Sequence, residues 1–256
     1  MAWRARFGAA VKPAVVHFAV CLLVASLVAA TVFGLWFPGD YRIFSGGTEL
    51  FQLVVGVDLV LGPLITLAVF DPKKRAALMF GDLAVIAALQ LGALGYGMHM
   101  VSISRPVVLA LEEDRFRVVP ASGVYEKELL SAPADLRSLS LTGPRLVRSR
   151  MPTDPDKKFE AVALGLSGYD IGTRPSLWTH WDAAARGEAL AHAKPFATLA
   201  RRYPTRQRDL DAAITATGRA LRALVYIPMI TFRGDWIALL DGTSGDVVGF
   251  APFDGF

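Results

Sequence analysis

Residues 50–70 read LFQLVVGVDLVLGPLITLAVF, an apolar run whose only charged side chain is Asp58. Two further apolar runs flank it, Pro13–Phe37 and Leu83–Ile103, and each is long enough to cross a bilayer as a helix. A carboxylate at membrane depth costs roughly 2.5–3.5 kcal/mol, so it is rarely found there without a partner or a function. The sequence therefore predicts a membrane protein with three transmembrane helices, at about residues 13–37, 50–70 and 83–103.

The chain divides into two parts by composition. Hydrophobic residues make up 53% of its 256 residues, and all three apolar runs lie within residues 1–105. Residues 106–256 instead alternate polar and apolar positions, and these 151 residues are enough to bury a core. We expect a three-helix transmembrane bundle over residues 1–105, followed by an extracytoplasmic α+β domain with an antiparallel sheet over residues 106–256.

Basic residues are distributed unevenly around the three spans, which predicts the orientation. The connection at 38–48 carries only Arg42, offset by Asp40. The other basic residues near the spans precede the first one or lie between the second and third: Arg4, Arg6, Lys12, Lys73, Lys74 and Arg75. The positive-inside rule then places the N-terminus and the 71–82 loop in the cytoplasm. The 38–48 connection and everything after Arg105 are expected outside the inner membrane, in the periplasm if the cell is Gram-negative.

The charge and the scarcity of metal-binding residue types argue against several functions. Residues 1–105 carry 8 basic against 5 acidic residues, which is +3 of the net charge of +4. This excess lies beside the spans, so nucleic acid is not an expected partner. The single cysteine, Cys21, builds neither a disulfide nor a cysteine-based metal site. The four histidines are scattered, and no phosphate-binding or hydrolase motif is present. We expect no cofactor, no metal site and no catalytic residue.

Small residues recur at four-residue spacing in two of the spans, and such stripes allow helices to approach closely in lipid. Two interpretations are open: the stripes pack the three spans together, or one of them is left free for a helix of another protein. The stripes are Ser26, Ala30 and Gly34 in the first span and Ala84, Ala88 and Gly92 in the third.

The polar residues of the spans allow similar alternatives. Asp58 is expected roughly 12 Å from the outer end of its span at Leu50, in the outer half of the membrane. A hydrogen bond to Tyr96 or His99 would make it a structural tie, whereas an open Asp58 would meet a polar or cationic group on a partner's helix. Gln90 lies deeper and predicts a hydrogen bond between helices. Pro63, after Gly62, predicts a kink in the second span.

In residues 106–256 the pattern predicts several elements. Pro106–Val119 is expected to form strands broken by a turn at 112–114, and Asp182 to cap a helix that runs to about Ala193. A short helix should begin at Pro195, and a longer one should span about 206–223. Residues 236–240 and 247–250 predict a hairpin. The larger aromatic residues are either core or part of an exposed docking patch: Trp178, Trp181, Tyr226, Phe232 and Trp236.

Several of these residues, taken together, resemble a known family. The matching stretches are Gly46-Gly47-x-x-Leu50-Phe51, Val57-Asp58-x-Val60-Leu61-Gly62-Pro63-Leu64-x-Thr66, Val69-Phe70-Asp71-Pro72-Lys73, Asp82-Leu83, Gln90-Leu91, Tyr96-Gly97 and Arg105-Pro106-Val107. They are similar to the type IV pilin accessory proteins of the TfpX/TfpZ kind, most densely over residues 36–118. The positions carried over as important for structure or partner binding are Gly46, Gly47, Asp58, Gly62, Pro63, Asp82, Gln90, Tyr96 and Arg105.

The resemblance implies an inner-membrane accessory factor, a chaperone or regulator, that helps type IV pilin to remain stable or to pass into pilus assembly. It implies no catalysed reaction. Its implied partners are type IV pilin, the pilus assembly machinery and membrane lipid. Two alternatives remain open from the residues themselves. One is a membrane-embedded enzyme that uses Asp58 with Tyr96 or His99 as an acid/base pair, and the other is a sensor or scaffold subunit of a membrane complex.

Overall fold

The computed structural model describes residues 2–256, with side chains from Arg6 onward, so the side chain of Arg4 lies outside the described part. The chain forms two compact units. The helical unit contains the residues up to Arg42 together with Gly46–Ser104, and the sheet unit contains Arg105–Phe256 together with Ile43–Ser45. A three-residue piece of the connection between the first two long helices therefore belongs to the sheet unit.

The helical unit is built from three long helices, and a short helix lies across the boundary between the two units. Their bounds are α1 Ala2–Thr31, continued by a π-helical turn at Val32–Trp36, α2 Tyr41–Phe44, α3 Gly47–Val69 and α4 Ala76–Ser104. Segments Arg6–Trp36, Gly47–Val69 and Ala76–Ser104 are long and apolar enough to cross a membrane. The connection between α3 and α4 is shorter than the expected 71–82 loop, because the residues from Ala76 to Asp82 are already helical.

Helix α3 packs against both α1 and α4. The core of the unit contains Val28 and Val32 from the first helix, Val55 from α3 and Val101 from α4. Gly97 marks a close approach, because a Cβ at this position would lie 2.7 Å from Val54 of α3. Helix α3 continues without a break through Pro63.

The sheet unit contains an eight-stranded sheet. Its strands are β1 Pro106–Glu112, β2 Arg115–Pro120, β3 Arg145–Ser149, β4 Trp178–His180, β5 Lys194–Pro195, β6 Leu224–Ile230, β7 Trp236–Asp241 and β8 Val247–Ala251. Seven of them run in the order β4-β3-β1-β2-β6-β7-β8, and β5 pairs with β6. All seven residues of β1 are buried, which fits its central place.

The sheet is mixed, so the prediction of an antiparallel sheet was wrong. Strands β1 and β3 pair in parallel, as do β2 and β6. Parallel neighbours need a long crossover connection; residues 113–144, which include β2, connect β1 to β3, and residues 121–223 connect β2 to β6. The sequence signals a hairpin through its turn residues, but it carries no comparable local signal for a crossover.

Four helices complete the sheet unit: α5 Pro155–Leu166, α6 Ala183–His192, α7 Ala197–Arg202 and α8 Gln207–Thr217. The Asp182 cap is confirmed, since its carboxylate accepts a hydrogen bond from the Ala185 N–H at 2.8 Å. This bond lowers the pKa of Asp182. Helix α8 ends earlier than the predicted residue 223, because Gly218 adopts φ +64° and stops the helix.

The predicted hairpin at the end of the chain is confirmed, and the predicted break in Pro106–Val119 is a turn between two paired strands. Strands β1 and β2 pair antiparallel across a turn at Glu113 and Asp114, and β7 pairs antiparallel with β8. In the second turn the Asp241 carboxylate accepts from the backbone N–H groups of Thr243 and Ser244, which lowers the pKa of Asp241. Among the large aromatic residues, Trp178, Tyr226 and Trp236 are buried, whereas Phe232 is 78% exposed.

Candidate functional site

Gln90 links all three long helices from its position on α4. Its Nε2 atom donates to the carbonyl oxygen of Asp58 on α3 at 3.3 Å and lies 3.9 Å from the Cys21 sulfur on α1. The predicted interhelical hydrogen bond of Gln90 is thereby confirmed. The lack of a side chain at Gly62 makes this hydrogen bond possible, because a Cβ at residue 62 would collide with Gln90 Nε2.

Two further polar contacts join α1 to α3. His17 Nδ1 lies 2.6 Å from the hydroxyl of Thr66, which is 1% exposed. Arg6 Nη2 donates to the carbonyl oxygen of Ala68 at 2.6 Å, and its Nε donates to that of Phe70 at 3.3 Å. Arg6 therefore satisfies carbonyl groups that the C-terminus of α3 leaves open. From the sequence, Arg6 was expected to act only as a signal of membrane topology, and His17 was one of four histidines scattered along the chain.

A cavity of about 220 Å3 lies among α1, α3 and α4. Its lining is mostly apolar, and its polar groups are His17, Cys21, Asp58 and Gln90. Asp58 is the middle residue of the 23-residue helix α3, about 17 Å from either end at 1.5 Å per residue. Asp58 is eleven residues from the start of its helix rather than the expected eight, because α3 begins at Gly47 rather than at Leu50. No ion pair joins Asp58 to a basic side chain within residues 6–256.

The expected hydrogen bond from Tyr96 or His99 to Asp58 is absent from the described structure. Tyr96 and Asp58 both line a second cavity of about 220 Å3, but Tyr96 is 69% exposed. Six residues separate Gln90 from Tyr96, which places them about 120° apart around α4. Tyr96 therefore lies at the exposed edge of the α3–α4 contact and donates no hydrogen bond to Asp58.

The two stripes of small residues do not pack the three helices together. All six stripe residues are exposed: Ser26, Ala30, Gly34, Ala84, Ala88 and Gly92. No atom lies within 4 Å of the position that a Cβ would occupy at Gly34 or Gly92. The interpretation in which the stripes hold the three spans together was therefore wrong. On α4 the stripe runs beside Ala87 and Leu91, which line the first cavity.

The remaining predicted positions lie at helix ends or turns. Gly46 precedes α3 in the left-handed conformation with φ +76°, and Gly47 is buried so closely that a Cβ would lie 2.7 Å from Phe37. Asp82 pairs with Lys74 at 2.7 Å. Pro63 lies within α3 and does not line the cavity.

Arg105 belongs to the sheet unit. Its Nε donates to the Ser140 carbonyl oxygen at 3.0 Å, and burial lowers its pKa.

The sheet unit contains two buried charge clusters that sequence reasoning missed. Glu112 is 2% exposed, and its carboxylate bonds with Arg117 at 2.7 Å and the Gly172 N–H at 2.8 Å. Arg174 is 5% exposed and bonds with Glu128 at 2.5 Å. Burial alone would raise the pKa of Glu128, but hydrogen bonds from Arg174 and Ser176 outweigh it, and the pKa is lowered. Within the described residues, no three His, Cys, Asp or Glu side chains converge as a metal site would require.

Three long apolar helices, a largely apolar cavity among them that contains four polar groups, and a mixed sheet unit define a membrane-associated class of protein. Residues 5–46 match the family model of the fimbrial assembly protein FimB. The chain is 31% identical over 238 residues to the fimbrial assembly protein, serogroup I, of Dichelobacter nodosus, with 92% of each chain covered. It is 29% identical over the same length to the serogroup E1 protein of that organism. The chain therefore belongs to the fimbrial assembly protein family.

A shorter relative from Dichelobacter nodosus, the fimbrial assembly protein of serogroups C1 and C2, is 35% identical over 127 residues. That match covers 97% of the relative and half of this chain. No solved structure matches the chain. The resemblance to proteins of type IV pilus assembly is confirmed by the family match.

Proposed function

We propose that this protein is a multi-pass accessory factor of the inner membrane that holds the apolar helix of a type IV pilin before the pilin passes into pilus assembly. In this role it acts as a chaperone or regulator and catalyses no reaction. The relatives are fimbrial assembly proteins by name, which supports the assembly role. The observation that carries the helix-holding role is the exposed stripe of small residues on α4 beside a largely apolar cavity that contains Asp58 and Gln90.

The stripe suits a helix partner. Ala84, Ala88 and Gly92 repeat every four residues on one face of α4, and small residues at that spacing let a second helix approach closely. Ala87 and Leu91, which neighbour the stripe in sequence, line the cavity. A helix lying along the stripe would therefore border the cavity, where Asp58 and Gln90 offer groups for a polar or cationic side chain of the partner.

The contacts of the chain support the proposed topology. Arg6 near the N-terminus bonds to the carbonyl groups of Ala68 and Phe70, so both regions lie at the same end of the helical unit. Phe44, from the connection between α1 and α3, belongs to the sheet unit and bonds through its carbonyl oxygen to the Arg233 N–H. This contact supports a topology in which the connection and the sheet unit share one side of the membrane, as a cytoplasmic N-terminus and a periplasmic sheet domain require.

Photocrosslinking in piliated cells tests the helix-holding role. A photoreactive amino acid is placed at Ala88 or Gly92 in the full chain, and the captured protein is identified by mass spectrometry. We expect a pilin adduct from both positions. Leu89 is the matched control, because it is 70% exposed on the same helix but lies about 100° from Ala88. Capture of pilin equally from Leu89, or from none of the three positions, would contradict a defined helix site.

A substitution separates helix holding from a general role of the membrane part. Gly92→Leu should fold normally, because nothing lies within 4 Å of its added Cβ. It should reduce both the crosslink from Ala88 and the number of surface pili several-fold, while pilin is still synthesised. Leu89→Ala should leave both unchanged. Normal piliation in the Gly92→Leu strain, with the variant present at normal abundance, would reject the stripe as the binding face.

A further inference from the structure

An exposed aromatic side chain of the sheet unit neighbours a residue that is hydrogen-bonded to the connection before α3. Phe232 is 78% exposed in the loop between β6 and β7. The N–H of the next residue, Arg233, donates to the carbonyl oxygen of Phe44 at 2.9 Å. Phe44 precedes the first residue of α3, Gly47, by three residues. Three residues span at most about 11 Å, so the residue that Arg233 contacts is separated by no more than that length of chain from a helix apolar enough to cross a membrane.

A second exposed apolar side chain neighbours a residue that is hydrogen-bonded to Arg105, which follows α4. Leu141 is 63% exposed and follows Ser140, whose carbonyl oxygen accepts from Arg105 Nε at 3.0 Å. Arg105 directly follows Ser104, the last residue of α4. The residues that neighbour Phe232 and Leu141 therefore bond, within the sheet unit, to two segments that the chain joins directly to apolar helices: Phe44, three residues before α3, and Arg105, one residue after α4.

The helix lengths place both points at the boundary of a bilayer. Helix α3 has 23 residues and measures about 35 Å, close to the hydrocarbon thickness of about 30 Å. On α4, Asp82 pairs with Lys74, and such charges belong outside the hydrocarbon. Ser104 lies 22 residues further along α4, about 33 Å away, which reaches the opposite boundary.

The loop that carries Phe232 contains an internal hydrogen bond and has the chemistry of a membrane interface. The Thr231 hydroxyl donates to the Gly234 carbonyl oxygen at 2.7 Å, and Gly234 takes φ +66°, which a glycine adopts without strain. The Arg233 guanidinium lies 5.6 Å from the centre of the Phe232 ring. At an interface the ring can enter the region between headgroups and acyl chains while the guanidinium reaches lipid phosphate.

We propose that Phe232, Arg233 and Leu141 form a lipid-contact surface, through which the sheet unit rests on the outer leaflet of the membrane that the three helices cross. The partner is the phospholipid surface, with the two apolar side chains entering the headgroup region and Arg233 binding phosphate. The inference rests on the membrane location given under Proposed function. It adds that the sheet unit contacts lipid through these three residues, in addition to its covalent links to the helices.

Spin labelling of the full chain tests this surface. In a Cys21→Ser background, single substitutions Phe232→Cys and Leu141→Cys receive a nitroxide label, and the protein is placed in vesicles of phosphatidylethanolamine and phosphatidylglycerol. Collisions of each label with oxygen, which enriches in lipid, and with a water-soluble nickel complex are then measured. Thr243→Cys is the water-exposed control, because its turn lies at the opposite end of β7 from Phe232, about 17–20 Å away. Leu89→Cys is the lipid control, because Leu89 is 70% exposed on α4.

We expect the labels at 232 and 141 to collide with nickel several-fold less often than the label at 243, and with oxygen nearly as often as the label at 89. If either label is as accessible to nickel as residue 243 while residue 89 is protected, the lipid-contact surface is wrong and the membrane location stands. If residue 89 is itself accessible to nickel, the membrane location fails, and this inference fails with it.

Discussion

At the scale of single residues, Gly62 and Gln90 act as a pair. A side chain at residue 62 would occupy the space of the Gln90 amide, which in turn bonds to the Asp58 carbonyl oxygen. Hydrogen bonds between membrane helices are worth about 0.6 kcal/mol on average and at most about 1.7 kcal/mol. The pair therefore makes a small but specific contribution to the joining of α3 and α4.

We predict that Gly62→Ala and Gln90→Ala are coupled by about 1 kcal/mol in a double-mutant cycle. With Gln90 present, the new methyl group displaces the amide, and the interhelical bond is lost. With Gln90 truncated, the same substitution gains about 0.5–1 kcal/mol from helix propensity. The coupling is measured from the free energy of unfolding of the purified full chain in bicelles. The effect of Gly62→Ala is determined once with Gln90 present and once with Gln90→Ala.

Gly56→Ala is the matched control for this cycle. Gly56 lies in the same helix, and nothing lies within 4 Å of the Cβ it would gain. Its effect should not depend on residue 90. Additive effects of Gly62→Ala and Gln90→Ala would show that the hydrogen bond does not stabilise the helical unit.

The predictions for single residues were correct where the chemistry of one side chain determines its contacts. They were wrong where the contacts depend on the direction in which the helix presents that side chain. Gln90 in an apolar helix must find a partner, so its interhelical bond followed from the sequence. The tie between Tyr96 and Asp58 relied on equal depth, but Tyr96 is 69% exposed at the edge of the cavity that it shares with Asp58 and makes no hydrogen bond to it. Glu112 looked like a turn residue because its partners Arg117 and Gly172 converge on it only in the folded sheet.

At the scale of elements, the ion pair between Glu128 and Arg174 joins two short 3₁₀ segments that are distant in sequence. Glu128 lies in Glu126–Ser131, and Arg174 precedes Pro175–Leu177. The lowered pKa of Glu128 means that the folded unit favours the charged carboxylate. This stabilisation is fully present above the ordinary value of 4.5 and is lost as the pH falls through the lower pKa of the folded state.

We predict that Glu128→Gln destabilises the sheet unit by about 3 kcal/mol at pH 7, because Arg174 remains buried without a counter-charge. The difference from the unsubstituted protein should shrink as the pH is lowered below 4.5, since the native carboxylate is then protonated as well. Thermal unfolding followed between pH 7 and pH 3 measures both effects. Glu126→Gln, an exposed carboxylate of the same segment, should change stability little at any pH. A Glu128→Gln deficit that does not depend on pH would contradict the electrostatic origin.

In the sheet unit, the elements that were predicted correctly are those whose signals lie within a few consecutive residues of the sequence. Asp182 capped α6, and both hairpins formed at their turn residues. Helix α8 was predicted too long, because the apolar spacing continues past Gly218 into a turn and the start of β6. The parallel pairing of β1 with β3 depends on contacts between distant segments, and no short stretch of sequence encodes it.

At the scale of the whole molecule, three residues of the connection between α1 and α3 are part of the sheet unit. Phe44 is 0% exposed, and its ring lies 5.0 Å from that of Trp236 and 5.3 Å from that of Phe250. The positive-inside rule predicted that this connection and the sheet unit share one side of the membrane. It did not predict that the connection supplies a core side chain, because three residues carry no periodic signal.

Phe44 is therefore expected to stabilise the sheet unit although it lies about 60 residues before that unit begins in the sequence. Phe44→Ala should cost about 3–5 kcal/mol, since it leaves a cavity between Trp236 and Phe250. The near-ultraviolet circular dichroism of the buried tryptophans should melt at a lower temperature, while the helical signal in the far ultraviolet persists to higher temperature. Ile43→Ala, at the neighbouring position that is 46% exposed, should shift neither transition. An unchanged tryptophan transition in Phe44→Ala would mean that the sheet unit folds without the connection, and that its only link to the helices is the chain after Ser104.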